Sequence, residues 1–170
     1  MLQNYVVGGK KQIKMIGEKL VCGNLGGIMK YSLINCSEND INTIVEYKCN
    51  NIFEYATDIT LEEKNKIINY VIKDINEELH NFKMIIFDNK IVGTIGVIDY
   101  KDGKMIDEIF IEEDYRNRGI GTDIINNVLL CNDKVYLWVY INNVKAVRLY
   151  KRLGFVVKET SKERYFMERV

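Results

Sequence analysis

The chain has 170 residues and a mass of 19.9 kDa, which is the size of one compact domain and too small for two domains with separate cores. Hydrophobic residues make up 47% and charged residues 28% of the sequence, a balance that excludes a disordered chain, and no apolar run approaches the roughly 18 residues of a membrane-spanning helix. The 24 basic and 24 acidic residues cancel, so net charge favours neither a nucleic acid nor an anionic membrane as a partner.

Residues 1–28 differ in composition from the rest of the chain. They hold six glycines, four lysines and one acidic residue, and their hydrophobic periodicity is weak. Two consecutive glycines shortly before Met29 are compatible with a ribosome-binding sequence in the gene, which would make Met29 the native start. A genuine N-terminal hairpin or helical arm is the other interpretation. We therefore treat residues 1–28 as an extension of uncertain status and residues 29–170 as the domain.

Periodicity becomes clear after this extension. Alternating residues predict a strand over 31–36, and Ser37 then offers a helix N-cap that is followed by apolar residues at helical spacing up to Cys49. A capping box starts at Thr60, and the apolar stripe behind it predicts a second helix over residues 61–79. Three strands joined by hairpin turns are expected next, at 83–87, 91–98 and 105–111.

The second half of the chain alternates helices and strands. Helical spacing predicts helices over 120–129 and 144–153, and Gly154 ends the second of them. An almost wholly apolar strand at 135–141 lies between the two helices. The tail predicts a last hairpin, with strands at 155–159 and 164–168. This order predicts an α/β (α+β) fold: one domain with a mixed, mostly antiparallel central sheet flanked by helices.

The cysteines and the single histidine do not indicate a metal site. Cys22, Cys36, Cys49 and Cys131 lie far apart and His80 stands alone, so the usual spacing of zinc ligands is missing and we expect no metal. The basic start is not followed by an apolar block of the kind that a secretory signal needs. Reduced thiols and a cytoplasmic location are therefore expected.

The segment from Ile109 to Thr122 carries the strongest chemical signal. A strand ends there, a short loop with Arg116, Arg118 and two glycines follows, and a helix begins at once. The first turn of a helix leaves N–H groups without partners and carries about half a positive charge, and glycine lets an anion approach the backbone. Neither the dinucleotide fingerprint, whose third glycine is replaced by Ile124, nor a P-loop fits this segment. The pattern is typical of a phosphate-binding turn, and a turn glycine plus a helix-packing glycine is the alternative.

Two short motifs follow each other in the second half of the chain. The loop Arg116-Asn117-Arg118-Gly119-Ile120-Gly121 fits the pattern Arg/Gln-x-x-Gly-x-Gly/Ala. Residues 143–155 fit Asn-x-x-Ala-x-x-Leu-Tyr-x-x-Leu-Gly-Phe at every fixed position. In this order and separation, the two motifs resemble those of the GNAT family of N-acetyltransferases. The resemblance covers residues 29–170 and implies an N-acetyltransferase domain with acetyl-CoA as its cosubstrate.

The resemblance also implies a binding mode for acetyl-CoA. In that family, the strands that correspond to 105–111 and 135–141 separate, and the pantetheine arm lies between them. The expected backbone contacts of this arm are at Ile109, Phe110 and Ile111. The pyrophosphate is expected to bind to the turn and to the first residues of the helix that follows it, and a polar side chain of the next helix is expected to contact the cosubstrate as well. These expected cofactor-binding residues are Arg116, Asn117, Arg118, Gly119, Ile120, Gly121, Thr122 and Asn143. A simple helix cap is the alternative role of Asn143.

Tyr150 and two acidic strand residues are the candidate catalytic residues. The resemblance implies that Tyr150 is the general acid toward the CoA thiolate and that a strand N–H holds the oxyanion, whereas a core aromatic is the alternative for Tyr150. Asp107 and Glu108 are candidates for the general base. Strand alternation lets only one of them face the active site, and an exposed strand acid is the alternative for each. Trp138 stands where family members that acetylate peptide N termini often have a glutamate, which argues against a peptide acceptor.

Charge is unevenly distributed along the chain. Residues 37–80 contain ten acidic residues and four lysines, whereas residues 115–158 contain eight basic and two acidic residues, so the balances are −6 and +6. The basic segment 115–158 suits the CoA phosphates, and the acidic segment 37–80 would attract a cationic amine. The alternative is that these charges only solvate the exposed faces of helices. We therefore expect direct acetyl transfer, in a ternary complex, to a small cationic amine or a lysine-like group. A catalytically silent acyl-CoA-binding or regulatory domain is the alternative function, and a homodimer is left open.

Overall fold

The computed structural model describes residues 31–170 and, before them, only the backbone of three short strands, β1 (Asn4–Val6), β2 (Gln12–Ile16) and β3 (Lys19–Val21). These strands pair antiparallel in chain order, and β3 lies beside the strand that begins at residue 31. The proposed start at Met29, the predicted boundary after residue 28 and Cys22 lie outside the described residues. The domain division therefore stays a prediction.

From residue 31 onwards, seven strands and four α-helices follow each other in the predicted order. The helices are α1 (Ile41–Tyr55), α2 (Leu61–Glu78), α3 (Ile120–Cys131) and α4 (Val144–Arg152). The strands are β4 (Tyr31–Asn35), β5 (Phe82–Phe87), β6 (Lys90–Tyr100), β7 (Gly103–Ile111), β8 (Val135–Tyr140), β9 (Val156–Thr160) and β10 (Arg164–Arg169). Single 3-10 turns precede α1, β5 and α3.

The seven strands form one sheet in the order β4-β5-β6-β7-β8-β10-β9. Every neighbouring pair is antiparallel except β7 and β8, which are parallel. A parallel pair needs a crossover connection, and α3 supplies it. The predicted α/β fold with a mostly antiparallel sheet is confirmed.

Local signals fix the starts of the first two helices. The Thr60 side chain accepts a hydrogen bond from the Glu63 N–H at 3.2 Å, and the Glu63 carboxylate accepts one from the Thr60 N–H at 2.8 Å, so the predicted capping box is present. A similar box between Ser37 and Asp40 starts a single 3-10 turn, and α1 follows directly after it. None of the helices in residues 31–170 combines the length and the apolar character that crossing a bilayer requires.

Apolar side chains cover both faces of the sheet. On one face, α3 and α4 pack over a large core that includes Ile120, Ile124, Leu137 and Met167. On the other face, α1 and α2 pack over a second core. The sheet is therefore sandwiched between two helical layers, and burial of these apolar side chains provides the main stabilising free energy.

One irregularity decides where the functional site lies. Gly96 of β6 pairs with Glu108, whereas the next residue, Val97, pairs with Ile106, so Asp107 has no partner on β6 and forms a β-bulge. Pairing between β7 and β8 also ends at Ile106. Beyond this point the parallel strands separate, and β7 has a neighbouring strand on one side only.

The separated half of β7 depends on close packing against β6. A Cβ atom added to Gly93 would lie 2.0 Å from the Phe110 carbonyl oxygen. We therefore expect Gly93→Ala to lower the free energy of unfolding by about 1–3 kcal/mol, because the two strands must move apart. Urea denaturation followed by circular dichroism measures this loss, and an unchanged midpoint would contradict the proposed close contact.

Candidate active site

A cavity of about 860 Å³ lies where β7 and β8 separate. Most of the predicted site residues line it: Ile109, Phe110, Ile111, Arg116, Asn117, Gly119, Ile120, Gly121, Thr122, Asn143 and Tyr150. Three others, Arg118, Asp107 and Glu108, are not part of its wall. The fold thus brings two segments that are distant in sequence, the loop before α3 and the start of α4, to opposite sides of one space.

The free edge of β7 presents backbone groups to this cavity. The Glu112 N–H donates to the Val92 carbonyl at 2.9 Å, and hydrogen-bonded and non-bonded pairs alternate along an antiparallel ladder. The backbone groups of Phe110 therefore point toward β6, whereas those of Ile109 and Ile111 point into the gap. Phe110 lines the cavity with its side chain, and the expected backbone contacts of Ile109, Phe110 and Ile111 with the cosubstrate stay a prediction.

The N-terminus of α3 forms a second wall of the cavity. Gly119 is the N-cap with a φ of 83° and no side-chain capping bond, and Asn117 also has a positive φ of 60°. The first helical bond runs from the Asp123 N–H to the Gly119 carbonyl. The N–H groups of residues 120–122 therefore have no partner within the helix, and together with the helix dipole they favour an anion.

Gly121 serves helix packing as well. A Cβ atom at this position would lie 3.2 Å from Ile111 Cδ1, so a side chain there would push α3 away from β7. The sequence analysis gave a helix-packing role of this glycine as the alternative to an anion-binding turn. The two roles are compatible, because Gly121 keeps the N-terminus of α3 close to β7.

The two arginines of the loop have structural partners. Arg116 donates through Nε to the Ile111 carbonyl at 2.7 Å, and its guanidinium lies 3.4 Å from a Glu54 carboxylate oxygen. Arg118 donates to the Asp114 carbonyl at 2.8 Å and stacks on the Tyr115 ring. Arg116 thus lies in the cavity wall while bracing the loop. Arg118 braces the loop from outside the cavity.

The start of α4 contributes an amide and a phenol. The Asn143 side chain accepts a hydrogen bond from the Ala146 N–H at 3.1 Å, so Asn143 caps the helix and faces the cavity at the same time. Two turns later, Tyr150 is 7% exposed and packs edge-on against Phe155. Burial, together with the charge of Glu108, raises the pKa of the Tyr150 phenol, which keeps its proton in place at neutral pH.

The bulge changes the environment of the two acidic strand residues. Asp107 accepts a hydrogen bond from Lys48 Nζ at 2.7 Å, and Glu108 accepts one from Asn51 Nδ2 at 2.7 Å, so both side chains reach the same helix, α1. Both side chains lie on the α1 side of the sheet because the extra residue of a bulge interrupts the alternation, and the expectation that one of them faces the active site stays a prediction. Glu108 is only 5% exposed, which also excludes the exposed strand acid considered for it.

Burial controls the protonation of Glu108. Desolvation raises its pKa to about 8, against the lowering effects of Lys48 and the Asn51 hydrogen bond, while Asp107 adds to the rise. A carboxyl group with such a pKa exchanges protons near neutral pH, which is the range that a general acid or base needs.

Some cavity residues were not predicted from the sequence. Asn51 and Tyr55 of α1 line the cavity, as do three basic side chains of α4, Lys145, Arg148 and Arg152. The available signal on α1 was the polar Asn51 at helical spacing from the buried Ile44 and Tyr47.

Within residues 31–170, no group of three His, Cys, Asp or Glu side chains is placed to hold a metal ion, and Cys36, Cys49 and Cys131 are free thiols.

Comparisons with known proteins agree with this geometry. A family model described as an acetyltransferase (GNAT) domain matches residues 79–157. The chain is 34% identical over 65 residues to the spermine/spermidine N(1)-acetyltransferase of Bacillus subtilis, which covers 34% of this chain and 42% of that protein. It is 42% identical over 57 residues to the N-alpha-acetyltransferase 50 of Danio rerio, covering 30% and 34% of the two chains. The aligned segments thus span about a third to two fifths of the length of the curated relatives.

The fold has a solved counterpart over nearly all of the described residues. The crystal structure of the PaiA N-acetyltransferase from Thermoplasma acidophilum, in complex with coenzyme A, superposes with a TM-score of 0.66 at 18% sequence identity. The superposition covers 83% of this chain and 99% of that one. The family model over residues 79–157 and the shared fold make the chain similar to GNAT acetyltransferases, as its two motifs indicated.

Proposed function

We propose that the chain is an acetyl-CoA-dependent N-acetyltransferase that transfers the acetyl group directly to a primary amine in a ternary complex. The observation that carries this proposal is the meeting of three features in one cavity: the uncapped N-terminus of α3, the free edge of β7 and the buried phenol of Tyr150. The coenzyme A bound to the related fold of PaiA supports the same choice of cosubstrate.

In this proposal the chain holds the cosubstrate by its backbone. The N–H groups of residues 120–122 bind the pyrophosphate, and the basic side chains of Lys145, Arg148 and Arg152 add positive charge around the same cavity. The Ile111 carbonyl already accepts from Arg116, so the Ile109 carbonyl and the Ile111 N–H bind the pantetheine amides in the gap between the strands. These contacts direct the thioester toward Tyr150 and the Glu108 side of β7.

The proposed chemistry needs no covalent intermediate on the protein. Glu108 accepts a proton from the ammonium group of the acceptor, and the neutral amine nitrogen then attacks the thioester carbonyl carbon. A backbone N–H at the open edge of β7 stabilises the oxyanion that develops on the carbonyl oxygen. The C–S bond then breaks while Tyr150 donates its proton to the departing thiolate, and the phenolate takes up the second proton, which the nitrogen loses as the amide forms.

The proposed acceptor is a small cationic amine or a lysine-like side chain. Glu54 lines the cavity at the end of α1, within residues 37–80, whose net charge is −6. The partial match to a spermine/spermidine acetyltransferase supports a polyamine, whereas the match to an N-alpha-acetyltransferase makes a peptide N-terminus the natural comparison. Trp138 is 40% exposed on β8, at the position where the peptide-acetylating members often have a glutamate.

The proposal is tested by an assay of thiol release from acetyl-CoA with a panel of amines. We expect spermidine, an amino sugar and a lysine derivative to give a higher kcat/KM than a neutral primary amine of similar size, because carboxylates near the acceptor side concentrate cations. A short peptide with a free N-terminus serves as the competing acceptor. Coenzyme A binding without turnover of any amine would instead favour the catalytically silent acyl-CoA-binding or regulatory domain.

The phosphate cradle is tested by Gly119→Val. The positive φ of residue 119 and the lack of a Cβ there let the backbone reach an anion, so valine should weaken coenzyme A binding at least tenfold. Isothermal titration calorimetry with coenzyme A measures the effect. Asn89→Val is the matched control, because it places valine at a φ of 61° in the turn between β5 and β6, away from the cavity. Equal affinity of both variants would contradict the cradle.

The role of Tyr150 is tested by Tyr150→Phe. Without a proton for the thiolate, kcat should fall by roughly 10²–10⁴-fold, the range typical of general acid–base catalysis. The affinity for coenzyme A should stay nearly unchanged because the ring remains in place. Tyr100→Phe, on β6 outside the cavity wall, controls for loss of a phenol. Normal turnover of Tyr150→Phe would remove this residue from the mechanism.

A further inference from the structure

The bulged part of β7 is held mainly by one helix. Residues 107–111 have a neighbouring strand on one side only, so their position is not fixed by the sheet alone. Helix α1 supplies the missing support: the Tyr47 ring stacks on Phe110 with centroids 4.6 Å apart, and its hydroxyl donates to Glu112 at 2.5 Å. The next side chains on the same helix face, Lys48 and Asn51, contact the bulge itself.

Lys48 forms a buried ionic cluster beneath the bulge. Its ammonium lies 2.7 Å from Asp107 of β7 and 2.8 Å from Asp74 of α2, and its side chain is only 10% exposed. Burial lowers the pKa of Lys48, but the charges and hydrogen bonds of the two carboxylates outweigh this effect and raise it, so the lysine stays charged. The cluster carries a net charge of about −1 next to Glu108, and an isolated charge in such a place would be costly.

Asn51 connects this cluster to the cavity. It belongs to the cavity wall, and its Nδ2 donates to Glu108 Oε1 at 2.7 Å. An amide N–H stabilises a carboxylate, and it also fixes the rotation of the Glu108 side chain. The second carboxylate oxygen, Oε2, remains to accept a proton.

We propose that Lys48 and Asn51 are positioning residues that orient Glu108 and set its proton affinity from helix α1. This inference rests on the proposed function, in which Glu108 is the general base. Lys48 acts as the positive counter-charge of three carboxylates, those of Asp74, Asp107 and Glu108. Asn51 acts as the hydrogen-bond donor that holds Glu108 beside the cavity. The other titratable groups that face Glu108 are Asp107 on its own strand, Cys49 of α1, Tyr140 of β8 and Tyr150 of α4.

Two charge changes in the cluster around Lys48 should shift the pH dependence of kcat in opposite directions. Lys48→Met removes the positive charge, so Glu108 should hold its proton more tightly and the rise of kcat with pH should move to higher pH. Asp107→Asn removes a negative charge, so the same rise should move to lower pH. The double variant restores the balance and should return the profile toward that of the wild type. A purely structural role would lower activity in each case without these opposite shifts.

The experiment measures kcat against pH with saturating acetyl-CoA and spermidine. At pH 7 we expect Lys48→Met to lose activity several-fold and to approach the wild-type rate at high pH, whereas Glu108→Gln should lose roughly 10²-fold or more at every pH. Lys48→Arg keeps the charge and should keep the wild-type midpoint. Asn51→Ala removes a bond that favours the charged carboxylate, and it should shift the profile in the direction of Lys48→Met.

The possible results separate this inference from the proposed function. Wild-type turnover with an unmoved midpoint in Lys48→Met and Asp107→Asn would overturn the inference alone. Full activity of Glu108→Gln would overturn both the inference and the role of Glu108 in the proposed function. No turnover by the wild type would overturn both. Coenzyme A affinity and thermal unfolding check that each variant folds, and if Lys48→Met does not fold, Asp107→Asn and Asn51→Ala still give the two opposite shifts.

Discussion

The separation of β7 from β8 after Ile106 is the constraint on which the site depends. Two paired parallel strands satisfy each other's backbone groups, and a strand that leaves its neighbour exposes them. Here the bulge at Asp107 bends β7 away, and the Ile109 carbonyl and the Ile111 N–H are left without a partner strand, while Arg116 donates to the Ile111 carbonyl. The cavity, the unpaired backbone groups of β7 and the orientation of Glu108 toward α1 therefore share one cause, the single extra residue Asp107 in β7.

Two helices make this open arrangement possible from opposite faces of the sheet. On one face, α3 begins directly over the gap, and Gly121 lets its N-terminus approach Ile111 closely. On the other face, α1 contacts the bulged segment through ring stacking, an ion pair and an amide hydrogen bond. The unpaired half of β7 is thus fixed by side chains where β8 would otherwise fix it by backbone bonds. Such side-chain support can differ between proteins while the strand keeps its path.

The sequence predicted the local features of this protein well and the non-local ones poorly. Periodicity and capping signals identified each element after residue 30, because helix starts and hairpin turns depend on residues that are near each other in the chain. The loop before α3 and the start of α4 were found because each is a contiguous motif. The pairing of Asn51 with Glu108 joins residues 57 positions apart, and the bulge that allows it has no signature in the strand sequence. Alternation alone therefore could not show that both acids contact α1.

The charge that a ligand meets also depends on contacts between residues that are distant in the sequence. Residues 37–80 and 115–158 differ by twelve charges, yet several of these charges are already paired: Glu54 lies against Arg116, and Asp74 against Lys48. What a ligand meets is the set of side chains that reach the cavity, where Lys145, Arg148 and Arg152 lie on α4 and Glu54 lies on α1. The cavity wall thus carries positive charge on one helix and negative charge on another. A polyanionic cosubstrate and a cationic acceptor can then bind side by side because each is attracted to a different part of the wall.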